Sequence, residues 1–211
     1  PYTGTIFSGN PLFIDLKQLT EKKWDNILSQ ETFEKVVAGN PNQNQGKTAY
    51  SYIMKAQNEA LKEAWNNFKQ IHGGLFGSSL KKDFEKFKKE NAFWLDNDSL
   101  YEALSLENDN DFWYTWKNES DKNLMNPKSE EEKKAAEARI ADIRKKYEDE
   151  IEFYKFCQFV LEIQNEETKK FALSKGIKMI ADRQVAFSDR DAWAYQSLFL
   201  EGWYLGCPPD Y

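Results

Sequence analysis

The residues best placed to do chemistry lie at the end of the chain, in GIKMIADRQVAFSDRDAWAYQSLFLEGWYLGCPPDY over positions 176–211. The apolar run 177–180, entered through Gly176, reads as a buried strand, the one clear strand of the sequence. Its carboxyl end carries Asp182, Arg183 and Gln184, followed by Ser188, Asp189, Arg190 and Asp191. A carboxylate-rich loop leaving the C-terminal end of a parallel strand is where α/β barrels hold their ligands. Trp193, Tyr195, Trp203 and Tyr204 come next, and then Cys207, Pro208, Pro209, Asp210 and Tyr211. By composition alone the same stretch is equally one strand and one surface loop of any α/β protein.

The elements that must position these groups are mostly helical. Residues 1–12 are rich in Gly, Ser, Thr and Pro and read as an irregular loop with a turn at Asn10-Pro11. A helical pattern runs through Leu19, Trp24, Ile27 and Leu28, and a short helix over 31–38 stops at Gly39. Tyr50, Ile53, Met54, Leu61, Trp65, Phe68 and Ile71 form an apolar stripe at helical spacing, ended by Gly73-Gly74. A third helix over about 79–90 buries Phe84 and Phe87. Residues 92–95 lead into a packing segment over 99–106, and Phe112, Trp113, Tyr114 and Trp116 form an aromatic knot. Ser129 with Glu132 has the form of a capping box and opens a charged helix. The pattern turns strongly apolar from Ile151 and runs on to a cap at Gly176; one helix or two with a joint near 148–150 fit equally. A lone strand cannot satisfy its own edges, so the expectation is a segment of a larger α/β protein.

Composition removes several classes of function. The chain has 211 residues, 40% of them apolar and 15% aromatic, enough for a sizeable core. A net charge of −6, with Lys interleaved among Asp and Glu, leaves no phosphate-tracking stripe and argues against nucleic acid. Cys157 and Cys207 give neither a disulfide framework nor a metal spacing, and a single histidine, His72, argues against zinc sites and histidine-based triads. No apolar run reaches membrane-spanning length and no signal peptide opens the chain, although it starts at Pro1 without a Met; a cytoplasmic protein is expected.

Six stretches in order carry a family resemblance. Pro1-Tyr2 and Phe7-Ser8-Gly9-Asn10-Pro11-Leu12 resemble S-P-Y-Q-S-x-S-A-F-A-G-N-P-L. Phe93-Trp94-Leu95-Asp96 with Leu100-Tyr101-Glu102-Ala103-Leu104 resembles W-L-x-x-Y-A-L-F-x-A-L, and residues 112–116 resemble W-x-x-W. Residues 153–159 resemble F-x-K-F-x-Q-F, residues 176–194 resemble K-G-I-x-I-x-G-D-I-P-I-x-V-A-x-D-S-x-D-V-W-A, and residues 208–211 resemble the start of P-P-D-Y-F. These are motifs of the amylomaltase or disproportionating-enzyme family, the 4-α-glucanotransferases of glycoside hydrolase family 77. Departures are Ala181 for Gly, Arg183-Gln184 for a longer segment, an exchanged Ser188-Asp189 and a shorter opening loop, which point either to altered subsite geometry or to a divergent branch of the family.

The resemblance implies a fold, a division and a site. The fold would be α/β, a segment of a (β/α)8 TIM barrel that is mostly helical because it carries the helical insertion between barrel strands 2 and 3. Residues 1–15 would be a glucan-contact loop, 16–148 the insertion, and 149–211 the barrel helix, strand and start of an active-site loop. Tyr2, Asp182, Asp210 and Tyr211 would bind substrate: Asp182 at a strand end in the cleft, Tyr211 stacking on a sugar, Tyr2 in an aromatic contact surface. Trp193 and the knot at 113–116 read as packing, and Cys157 as buried and inert. The partner implied is a maltooligosaccharide or α-1,4-glucan, together with the remainder of the parent barrel, with no metal or organic cofactor. No carboxylate within 1–211 matches the family's catalytic acids. The competing expectations are a non-catalytic helical module that binds α-glucan or protein, and a plain hydrolase.

Overall fold

The structure, a computed structural model, describes residues 3–42, 45–73, 78–180 and 186–199, with only the backbone of residues 3, 4 and 186. Its elements in chain order are β1 (Thr3–Gly4), α1 (Leu16–Leu19), α2 (Gln30–Ala38), α3 (Tyr50–His72), α4 (Ser79–Glu90), α5 (Ala92–Asn108), α6 (Glu119–Lys122), α7 (Glu130–Lys146), α8 (Glu148–Ser174), β2 (Ala186–Phe187) and α9 (Asp189–Ala194). Short 3-10 turns at Pro11–Phe13, Lys22–Trp24, Trp113–Thr115 and Gln196–Leu198 join them.

Local chemistry explains most helix ends. Orphan N–H groups of a first turn need an acceptor, and serine supplies it at α2, α4, α7 and α9. Ser29 Oγ accepts from the Thr32 amide at 3.1 Å, Ser78 Oγ from Lys81 at 3.2 Å, and Ser129 Oγ from Glu132 at 3.1 Å. Glu132 returns the favour one residue early, accepting from the Lys128 amide at 2.6 Å. At the other end of α8, Gly176 takes φ +73°, Ile177 N–H bonds Ala172 C=O, and Gly176 N–H bonds Leu173 C=O. That pair of bonds is a Schellman cap, which needs a left-handed residue. The long apolar pattern from 129 onward is two helices, with the joint at Tyr147, whose φ of −115° leaves the helical region.

The chain divides into two compact units that are not continuous in sequence. One comprises the described residues of Pro1–Ser8, Ala92–Tyr154 and Ile180–Tyr211; the other comprises Gly9–Asn91 and Lys155–Met179. In the second unit, rings from α3, α4 and α8 interlock: Trp65 and Phe68 lie 5.4 and 5.1 Å from Phe156, and Phe84 lies 5.3 Å from Phe159. Two glutamines of α8 treat the incoming chain as a strand partner. Gln158 accepts from Gly9 N–H at 2.8 Å and donates to its C=O at 3.0 Å, and Gln164 does the same for Asp15 at 2.8 and 3.1 Å. Buried amides and peptide groups are thereby satisfied together. In the first unit, Leu100, Tyr101, Leu104, Trp116, Ile143 and Trp193 form the core.

Three expectations are corrected. Residues 177–180 carry no strand, and Ile177, Met179 and Ile180 are exposed, Ile180 by 96%. An apolar run after a glycine is the signature of a buried strand, yet burial requires neighbours, and among the described residues none covers this run. The parallel pairing occurs later instead, with Thr3 opposite Ala186 and Gly4 opposite Phe187. The helical pattern over 19–28 is broken: Asp25 and Asn26 both take left-handed φ, 52° and 54°, although Trp24, Ile27 and Leu28 are buried as their apolar character requires. The segments 92–95 and 99–106 belong to one continuous helix, α5.

A β-carbon added at Gly176 would meet nothing within 4 Å, so only the backbone conformation opposes substitution there. Gly176→Ala should therefore cost about 1 kcal/mol. The cost is read as a lowered urea midpoint of the full-length protein, with Gly176→Asn falling between the two. An unchanged midpoint for Gly176→Ala would mean that the cap does not hold the end of α8.

Candidate functional site

The four residues expected to bind substrate, Tyr2, Asp182, Asp210 and Tyr211, lie outside the described residues. The structure does place the polar groups just beyond Asp182, and it gathers them around Arg190 in the first unit. Ser188 caps α9, its Oγ accepting from Asp191 N–H at 3.2 Å and donating to Asp191 Oδ2 at 2.7 Å. Residues 190 and 191 then turn in different directions. Asp191, 1% exposed, accepts from the Ile6 amide at 3.1 Å. Arg190 Nη1 donates to Ser8 Oγ at 3.1 Å and to Tyr154 Oη at 2.9 Å, while Nη2 pairs with Glu102. Asp98 Oδ2 stands 3.9 Å from Nη1 and accepts from Tyr154 Oη at 3.5 Å.

The cluster is buried at Asp98, Asp191 and Tyr154 but open at Glu102, whose side chain is 40% exposed, and burial sets the electrostatics of its inner members. Asp98 is 1% exposed and its Oδ1 has no hydrogen-bond partner among the described residues. Desolvation pushes its carboxyl up to about 6, against the opposing pull of Arg190, Ser8 and Tyr154, and Asp191 adds to the rise. Burial likewise raises the phenols of Tyr154 and Tyr101. Arg190 loses solvation too, but Tyr154, Glu102 and Asp98 outweigh that loss and hold it more firmly protonated than usual. The guanidinium also faces the rings of Tyr154 and Tyr101, at 5.2 and 5.8 Å from their centroids. Two carboxylates thus share one cation, and a third, Asp191, is turned to the backbone of residue 6.

Aromatic rings back the same loop. Phe7 meets Phe93 edge-on at 5.1 Å and lies 6.2 Å from Trp94 and 6.3 Å from Tyr195. Trp193 is core, as its residue type and place imply: fully buried between Tyr101 and Trp116, with Nε1 donating to Asp121 C=O at 2.9 Å. The knot at 113–116 is divided, since Trp116 is buried while Tyr114 is exposed. Cys157 is buried, and burial raises its thiol well above the range of a reactive cysteine.

Elsewhere the chemistry-bearing groups serve structure. A groove of about 590 Å³ in the first unit is lined by Asn118, Asn123, Asn126, Leu124, Glu132 and Arg139. Of its two cations, Lys128 and Arg139, the arginine is already committed, gripping buried Asp121 with Nε at 2.8 Å and Nη2 at 3.0 Å. In the second unit His72 stands between Ser78 Oγ, 2.6 Å from Nδ1, and Asp25 Oδ2, 3.6 Å from Nε2. Ser78 Oγ is also the cap of α4, and burial lowers the imidazole's pKa, so a neutral ring buttressing a helix cap accounts for the arrangement. Among the described residues no group of three His, Cys, Asp or Glu side chains is arranged to hold a metal ion, and no helix is long and apolar enough to cross a membrane.

Sequence reasoning singled out Arg190 but missed its partners Asp98, Glu102 and Tyr154. The available signal was Asp98 itself, an acidic residue in a helix whose neighbours Leu95, Ser99 and Leu100 are all buried. A carboxylate on such a face requires a cation.

Comparison with known proteins places this geometry. Residues 1–211 match the family model described as 4-alpha-glucanotransferase. The chain is 29% identical over 220 residues to a 4-alpha-glucanotransferase of Clostridium butyricum and 28% identical to one of Thermus thermophilus. All of the chain aligns, but only 40% and 39% of those relatives, so it spans about two-fifths of their length. A 4-alpha-glucanotransferase of Solanum tuberosum, chloroplastic or amyloplastic, is 24% identical over 221 residues. Among solved structures, the amylomaltase from Streptococcus agalactiae in complex with acarbose superposes with a TM-score of 0.72 at 22% identity, over 94% of this chain and 38% of that one. The likeness to a barrel enzyme is one of fold.

Asp98 makes stability depend on pH with a definite sign. Its carboxyl titrates near 6 when folded against 3.8 as its ordinary value, so between those limits the folded state binds more protons. Its contribution is therefore most favourable below about 4 and falls on the order of 3 kcal/mol as pH rises from there through 6. His72, with its lowered pKa, acts in the opposite sense over part of the same range. The comparison is accordingly between wild type and Asp98→Asn, by chemical denaturation at pH 5 and pH 7.5. The variant should lose the component of stability that grows on acidification; an identical pH dependence in both would remove Asp98 as its source.

Proposed function

The chain belongs to the 4-alpha-glucanotransferase family, glycoside hydrolase family 77, and on that footing we propose that it is the part of such an enzyme that supplies glucan-binding surface. The observation that carries the reading is the family match over the whole of residues 1–211. In this reading residues 1–15 form a glucan-contact loop after a barrel strand. Residues 16–148 form the helical insertion between barrel strands 2 and 3, and 149–211 the following helix, strand and active-site loop. Tyr2, Asp182, Asp210 and Tyr211 contact the sugar chain, Asp182 through hydrogen bonds to a hydroxyl and Tyr211 by stacking.

The reaction is a retaining transfer. A carboxylate attacks the anomeric carbon and the glycosidic bond breaks, while a carboxylic acid protonates the leaving oxygen. The 4-hydroxyl of an acceptor glucan then displaces the carboxylate and returns its proton to the base. The two acids stand about 5–5.5 Å apart in such enzymes. We assign them to parts of the parent protein other than residues 1–211. Within this chain, Asp98 and Glu102 face a shared cation, an arrangement suited to holding structure rather than to proton transfer. Excluding water decides between transfer and hydrolysis, and the loops contributed here are the groups that would do so.

The product mixture from maltotriose tests the reading. Full-length protein should give glucose together with glucans longer than maltotriose, whereas glucose and maltose alone would identify a hydrolase, and no turnover would favour a non-catalytic module. Asp182→Asn should lower kcat/KM about tenfold to a hundredfold, the worth of a charge-assisted hydrogen bond. An unchanged kcat/KM would remove Asp182 from the site.

A further inference from the structure

We infer that Arg190 is a positioning residue for the proposed transfer site, clasping the opening loop, residues 5–8, to the segment that follows Asp182. The inference rests on the reading above, in which that loop carries glucan contacts. Its support is geometric. Ser8 at one end of the loop receives the guanidinium of Arg190, and Ile6 at its middle is held by the carboxylate of Asp191. Consecutive residues of α9 thus grip the loop at two points across a sequence separation of more than 180 residues. Immediately before the loop, Thr3 and Gly4 pair with Ala186 and Phe187, so both strands of this small ladder lead directly into the clasp.

The clasp is anchored as well as closed. Arg190 does not merely touch Ser8; Glu102 and Asp98 on α5 and Tyr154 on α8 fix the plane of its guanidinium. A planar fork held on several sides transmits position in a way that a flexible ammonium cannot. Phe7, between the two gripped residues, lies against Phe93, Trp94 and Tyr195, which keeps the loop's apolar face in register with its polar one. The charge arrangement is a poor device for stability alone. One carboxylate oxygen of Asp98, one of Asp191 and Nε of Arg190 are buried with no hydrogen-bond partner among the described residues. An incompletely satisfied buried network is costly, and its best-attested use is to specify one arrangement over others.

The test uses full-length protein carrying Arg190→Met, Arg190→Lys and Glu102→Gln, with maltotriose disproportionation and amide hydrogen exchange as paired readouts. Displacement of a substrate-contact loop should raise KM roughly three- to tenfold in Arg190→Met with kcat within about twofold. The methyl-ended side chain should also speed exchange at residues 5–8. Arg190→Lys should recover part of both effects, and Glu102→Gln should show smaller changes in the same direction. Faster exchange with an unmoved KM would overturn the inference, since the clasp would then be structural only. Unchanged exchange would overturn it as well, because the loop would be held by something else. A loss of kcat proportional to lost folded protein, in all three variants, would have the same meaning. If wild type transfers no glucan, the reading of function fails and the inference with it, which the wild-type product mixture shows on its own.

Discussion

A buried guanidinium constrains this structure more than any other single group. Burying a cation costs several kcal/mol unless charges and hydrogen bonds replace its hydration. Arg190 obtains them from Ser8, Asp98, Glu102 and Tyr154, residues that no local element could bring together. Long-range closure is therefore demanded by solvation, and the same solvation argument explains why Asp98 tolerates a depleted environment. With Glu102 also on the guanidinium, Asp98 is the more deeply buried of two carboxylates competing for one cation. Its raised proton affinity comes first from that burial, which outweighs the pull of Arg190.

Around this polar centre the apolar packing is ordinary in kind but divided in place. Trp193, three residues beyond Arg190, is driven between Tyr101 and Trp116, so one short helix supplies both a charged anchor and a hydrophobic one. Burial of a full indole ring contributes about 2–3 kcal/mol, which offsets part of the cost of ordering α9. Among the described residues the second unit is ordered by the ring stack on Phe156 and Phe159 and the paired glutamine contacts of α8. α8 serves both units: its first turns carry Tyr154 to the arginine, and its later turns carry those rings and amides. Such dual duty explains why its sequence is dense with apolar residues and gives no clean stripe.

How far this was legible in the sequence follows from the range of the forces involved. Caps act within a turn, so Ser129 and Gly176 could be read directly from their neighbours. The stripe of α3 was legible only in part: Leu61, Trp65 and Phe68 are buried on one face, whereas Tyr50, Met54 and Ile71, read into the same stripe, are exposed. The run at 177–180 was misread for a corresponding reason: its composition reports a wish for burial but not what supplies it. Left-handed Asp25 and Asn26 were missed because the apolar spacing around them continues to look helical even though the backbone does not. The ion cluster had no local signature at all. Asp98 and Arg190 are 92 positions apart, and only the oddity of a carboxylate among buried neighbours marked one end of the pair.

Position relative to the departures from the family pattern gives the cluster its interest. Ser188 and Asp189 are the pair read as exchanged in the family resemblance, and Ser188 is the residue that caps α9. A change of capping residue thus need not be conservative. The cap sits beside two adjacent charged side chains, one turned to the backbone of the opening loop and one to Asp98 and Glu102 of α5. A loop whose placement depends on such a cap can be moved by small local changes without disturbing the aromatic core beneath it. Where substrate contacts ride on that loop, specificity can vary through the polar clasp while the fold is retained by Trp116, Trp193 and their neighbours. Separation of these two roles, a hydrophobic core that holds the fold and an incompletely satisfied polar network beside the loop, is what the uneven satisfaction of the Arg190 cluster expresses.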